Sequence, residues 1–139
     1  AMRVLVTGSK TFRTRDWLWA ALDLLHSRAP ITEIIESGSS GAAVRAYEWA
    51  GRREVKCTTV LAEWERLGNA ALADRHTRMA QLRPDVVLVC PGGPETANMV
   101  EIAHAHGLRV IYLEKMPVPR GADDYASEPP EVVIDAVAA

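Results

Sequence analysis

Five short runs of β-branched and aliphatic residues, at 3–7, 31–36, 56–61, 86–90 and 109–113, alternate with stretches whose apolar residues recur every three or four positions. A strand repeats every two residues and a helix every 3.6, so this rhythm predicts repeated strand–helix units. The fourth run, Val86-Val87-Leu88-Val89, shows no polar alternation. Both its faces must therefore be covered, as in a parallel sheet flanked by helices. With right-handed crossovers, such units wind into an α/β, Rossmann-like, doubly wound parallel sheet of five strands in the order 3-2-1-4-5, with helices on both faces. The winding then reverses between strands 1 and 4, where the loops part to leave a crevice.

The helical stretches carry their own stop and start signals. The first, over about 16–27, sets Leu18, Ala21, Leu22 and Leu25 on one side. The second begins near Gly41, with Val44, Tyr47 and Ala50 expected to face inward. A third, roughly 69–82, places Leu72, Met79 and Leu82 together and must stop before Pro84. The fourth, about 95–106, is expected to bury Met99, Ile102 and Ala103 and to end at Gly107, which tolerates a left-handed stop. The reading is one domain over 2–115 and a Pro-, Gly- and acid-rich tail over 116–139, with a candidate short helix at 131–137.

Composition narrows the function class. Charged residues make up 24% and hydrophobic ones 48%, as in an ordinary globular domain. The formal net charge of −2 disfavours a general nucleic-acid binder, whose affinity comes from neutralising phosphates. No apolar run approaches the length of a membrane span, and no signal-peptide pattern stands at the start, so no membrane association and a cytoplasmic location are expected. Cys57 and Cys90 lie in separate apolar segments without metal-ligand spacing, which predicts two reduced thiols, no metal site and no resident cofactor.

Three of the loops that leave strands and enter helices are built from small residues: Thr7-Gly8-Ser9-Lys10, Ser37-Gly38-Ser39-Ser40-Gly41-Ala42 and Pro91-Gly92-Gly93-Pro94-Glu95-Thr96. Glycine lets backbone approach a ligand, and a helix N-terminus offers unpaired N–H groups, so phosphates bind at such places. The bland alternative is that the glycines only make tight turns and the hydroxyls only cap helices. None of the loops matches a Walker phosphate loop or the GxGxxG dinucleotide fingerprint.

Val6-Thr7-Gly8-Ser9-Lys10-Thr11-Phe12, the segment 36–43, Glu63-Trp64 to Gly68, Arg75 to Met79 and Pro91 to Ala97 occur in order along 3–113. Together they resemble the YspA-like branch of the SLOG superfamily. The resemblance implies a Rossmann-like fold and a site for nucleotides or nucleotide-derived molecules, shared with the lonely-guy cytokinin-activating phosphoribohydrolases. It also implies pairing through helices, so a homodimer is expected. The phosphoribohydrolases carry a proline-glycine-glycine-x-glycine-threonine motif with a catalytic glutamate three residues later, and Met99 stands in that place here. In the second loop, Ser40 and Ala43 stand where the YspA-like pattern has arginine and aspartate, and His76 replaces an asparagine after Arg75.

The ligand-binding candidates are Gly8, Ser9, Lys10, Gly38, Ser39, Ser40, Gly41, Arg75, Gly92, Gly93, Glu95 and Thr96. A binding module that senses or sequesters a nucleotide-derived small molecule is the leading reading. The alternative is an N-glycosidase of phosphoribohydrolase type, for which Glu95, Arg75 and Glu36, with Glu101 behind them, are the catalytic candidates. Single-stranded DNA binding is a third reading, disfavoured by charge.

Overall fold

The computed structural model describes residues 1–121. Five strands, β1 (Met2–Thr7), β2 (Ile31–Glu36), β3 (Lys56–Thr59), β4 (Val86–Val89) and β5 (Val110–Tyr112), alternate with α1 (Arg15–Arg28), α2 (Ala42–Arg52), a single turn α3 (Trp64–Leu67), α4 (Ala71–Gln81) and α5 (Pro94–Ala105). All strand pairs are parallel and the order is β3-β2-β1-β4-β5, as the sequence rhythm predicts. The candidate helix at 131–137 lies outside the described residues.

Two cores follow from the period-two alternation of the central strands. Val4 and Val6 of β1, with Val86 and Leu88 of β4, point to the α1/α2 side, where Phe12, Leu18, Leu22 and Trp49 are fully buried. Leu5, Val87 and Val89 point to the opposite side and pack with Met79, Met99 and Ala103 of α4 and α5. All four β4 residues are buried, which is why that run has no polar position. Met116 and Val118 pack back onto the first core beyond the last strand.

Two helix faces differ from expectation. Helix α2 buries Ala42, Ala43, Ala46, Trp49 and Ala50, while Tyr47 is 56% exposed. Small side chains let α2 approach the sheet closely, and that outweighs the bulkier stripe that set Tyr47 inward. Helix α4 buries Ala71, Arg75, His76, Met79 and Ala80, and Leu82 is exposed. Its inner face is half polar because its first turns look onto a cleft rather than onto the core.

Both cysteines are free thiols. Burial, with the Glu36 carboxylate beside it, pushes the Cys57 thiol up to about 12, so it is inert at neutral pH.

Candidate functional site

The reversal of winding falls between β1 and β4, and three loops meet above it. They are held to one another by backbone. The Ser9 N–H donates to the Pro91 carbonyl at 2.9 Å, Ala42 N–H donates to the Ser9 carbonyl at 3.1 Å, and Cys90 N–H donates to the Thr7 carbonyl at 2.8 Å. Glycines permit this closeness. A Cβ on Gly8 would stand 2.7 Å from the Cys90 Cβ, and one on Gly92 would stand 2.0 Å from the Thr96 hydroxyl oxygen. Gly8, Gly41 and Gly92 thus let loop pack on loop, a role the sequence offers only as a bland alternative to ligand contact.

Side chains lock the same loops from beneath. Ser9 is buried; its hydroxyl oxygen accepts from the Thr11 N–H at 2.9 Å. Ser40 donates to the Lys10 carbonyl at 3.1 Å. Glu36 ends β2 fully buried and pins the second loop. Its Oε1 accepts from the Gly38 N–H at 2.6 Å, and its Oε2 accepts from the Thr59 hydroxyl and the Cys57 thiol. With both oxygens engaged in holding the loop, Glu36 is placed as a structural carboxylate. Glu101 is exposed on α5, outside the lining of the cleft.

The cleft itself is narrow, with room for little more than a water molecule. Of the ligand-binding candidates, Gly8, Lys10, Ser39, Arg75, Glu95 and Thr96 line it. Gly38 lies in an adjoining recess with Tyr47, which shares Ser39 with the cleft. Gly92 and Gly93 floor another on the β5 side, beside Tyr112, and Thr96 belongs to both. Thr7, Ser37 and His76 line the cleft as well.

The charges form a bridge across it. Glu95, in the first turn of α5, lies 3.4 Å from the Lys10 ammonium and 3.7 Å from the Arg75 guanidinium. Two cations against one carboxylate leave the lining net positive. Arg75 is only 7% exposed, and its Nε has no hydrogen-bond partner; Thr96, 5% exposed, has an equally unpartnered hydroxyl. Buried polar groups are nearly always satisfied, and here two unpartnered ones fall on residues of the same cleft. Burial pulls the Arg75 guanidinium below its ordinary value and Glu95 opposes that, yet arginine stays charged in proteins.

Removing the carboxylate without changing its shape tests the bridge. Glu95→Gln is expected to tighten inorganic phosphate binding about tenfold, since Lys10 and Arg75 then face the anion without a competitor. Equilibrium calorimetry on both proteins checks it; unchanged affinity would count against the bridge.

His76 packs beside Arg75, 4% exposed, with Nδ1 2.7 Å from the Asn98 amide oxygen. Burial lowers its pKa, with a smaller push from the Arg75 charge, against the Asn98 contact and the Glu95 charge, which raise it. The unfolded chain therefore takes up the proton first as pH falls. The stability from neutral His76 is whole above the free-imidazole value of 6.5 and is lost as pH drops below it. Thermal melts between about pH 5 and about pH 7.5 should show that loss, and His76→Leu should flatten it.

Met99 is fully buried in the second core, away from the cleft. The place that would hold a phosphoribohydrolase glutamate is a packing position in this chain.

Comparison with known proteins decides the family. The family model described as the YspA, cpYpsA-related SLOG family matches residues 2–67. Gene 61 protein of Mycobacterium phage D29 is 33% identical over 123 residues, covering 83% of this chain and 98% of that protein. The chain belongs to the YspA-like SLOG family. No solved structure matches it significantly. In this SLOG protein the glycine-rich strand ends are stitched together, while Lys10, Arg75, His76 and Glu95 give the cleft its charge and polarity. Among the described residues no helix is long and apolar enough to cross a membrane, and no group of histidine, cysteine or acidic side chains could hold a metal ion.

Proposed function

We propose that this SLOG protein binds a nucleotide or nucleotide-derived small molecule by its phosphate, in the cleft at the carboxyl edge of the sheet, and senses or sequesters it without turning it over. One observation carries the reading: Arg75 and Thr96, both more than nine-tenths buried, line the same cleft, and Arg75 Nε and Thr96 Oγ1 have no hydrogen-bond partner. The start of α5 stands there too, with the favourable end of its dipole and its free N–H groups toward an anion. The phosphate displaces the Glu95 carboxylate from Arg75 and Lys10, and the displaced carboxylate is free to accept hydrogen bonds from the rest of the ligand. Against turnover stands Met99, which puts a buried thioether where the related hydrolases need a carboxylate.

Calorimetry with AMP, ADP-ribose and NAD tests the reading. At least one is expected to bind with a dissociation constant in the micromolar range, and AMP is expected to come back intact after prolonged incubation. No heat from any of the three at millimolar concentration would overturn binding; free adenine released from AMP would overturn the absence of turnover.

A further inference from the structure

We propose that His76 reads a ligand hydroxyl: its Nε2 accepts a hydrogen bond from the sugar of a phosphate ester whose phosphate lies against Arg75. The inference rests on the nucleotide-binding reading and narrows the ligand to a ribose phosphate rather than a bare anion or a deoxyribose phosphate.

The Asn98 amide oxygen can only accept, so at 2.7 Å the hydrogen sits on Nδ1. Neutral imidazole then carries its lone pair on Nε2. His76 lines the cleft and its Nδ1 is taken by Asn98 of α5, so Nε2 is the ring nitrogen left for a ligand there. The charged groups facing the ring are Arg75 on its own helix and Glu95 on α5. Burial and the adjacent guanidinium keep the ring neutral, so it adds no charge to the cleft.

A lone pair directed into an anion site repels phosphate oxygens. Its complement must be a donor carried by the same ligand, close to the phosphate. Sugar hydroxyls meet both demands, because Arg75 and His76 are consecutive on α4 and the cleft is narrow. Met79, which also lines the cleft, lies one turn further along α4 and packs into the apolar core. Removing a ligand hydroxyl would leave the His76 acceptor buried and unpaired, the circumstance in which polar recognition discriminates most strongly.

The test compares four probes by calorimetry: inorganic phosphate, AMP, 2′-deoxy-AMP and 3′-deoxy-AMP. The wild-type protein is expected to bind AMP at least about tenfold more tightly than one of the two deoxy analogues. His76→Leu should reduce that preference to less than about twofold without weakening inorganic phosphate binding. Asn98→Leu, which frees the ring to change tautomer, should weaken the preference without touching phosphate and serves if His76→Leu fails to fold. Equal affinity of the wild-type protein for AMP and both deoxy analogues would overturn the hydroxyl reading and leave nucleotide binding standing. A His76→Leu variant that loses phosphate and AMP affinity alike would also overturn it. Failure of all four probes to bind would overturn the hydroxyl reading, and failure of ADP-ribose and NAD as well would overturn nucleotide binding.

Discussion

Arg75→Met is expected to weaken AMP binding about 100-fold while making the fold more stable, by about 1 kcal/mol. The two effects have one cause. The guanidinium is almost wholly buried, its ion-pair partner among the described residues is 3.7 Å away, and its Nε has no hydrogen-bond partner among them. Taking such a charge out of water costs several kcal/mol, and an anion is needed to offset it. A methionine of similar length packs against Met79 and carries no such penalty. Glu95 keeps Lys10 at 3.4 Å, so the substitution does not strand the carboxylate. Denaturant unfolding and calorimetry on the same samples check both halves. If Arg75 were a structural brace, stability would fall with the substitution, and that result would contradict the assignment.

Gly41→Ala should act in the opposite sense, costing on the order of 3 kcal/mol and taking ligand binding with it. Gly41 caps α2 at φ 76° and ψ −128°, a conformation that L residues rarely adopt. A Cβ there would stand 2.1 Å from the Ser9 carbonyl oxygen and 2.5 Å from the Lys10 carbonyl carbon. Relief requires the first and second loops to part, which breaks the Ala42-to-Ser9 hydrogen bond and moves Lys10 away from Glu95. The expected readout is a lower unfolding midpoint together with lost phosphate affinity. A stable variant with intact binding would show that the loops are not mechanically joined.

Strand number, order and direction are legible in the chain because β4 has no polar face and a helical stretch separates each strand from the next. The meeting of residues 8, 38 and 92 at one edge follows from that topology alone. Helix faces are less legible. In α2, alanines and Val44/Tyr47 offer two stripes at similar spacing, and only the close approach of Ala42 to Gly8 selects between them. In α4 the inward arginine and histidine contradict a hydrophobic-face rule, because the surface they meet is a cleft formed by residues far away in sequence. The glycines show the same limit. Their clustering is visible in the sequence, yet whether each serves a ligand or a neighbouring loop depends on which atom a Cβ would meet. His76 carries a faint signal, the unusual residue after Arg75, and gains meaning only once Asn98 is seen across from it.

The central claim is that a phosphate bonds the Arg75 guanidinium, whose Nε has no hydrogen-bond partner. Its most direct measurement is a nitrogen-15 NMR titration with AMP that follows the Arg75 Nε–H resonance, assigned by its loss in Arg75→Met. The account predicts that this resonance moves downfield with saturation, together with the backbone amides of Gly8 and Thr96. AMP binding that leaves the Nε–H signal in place while shifting amides elsewhere would contradict it.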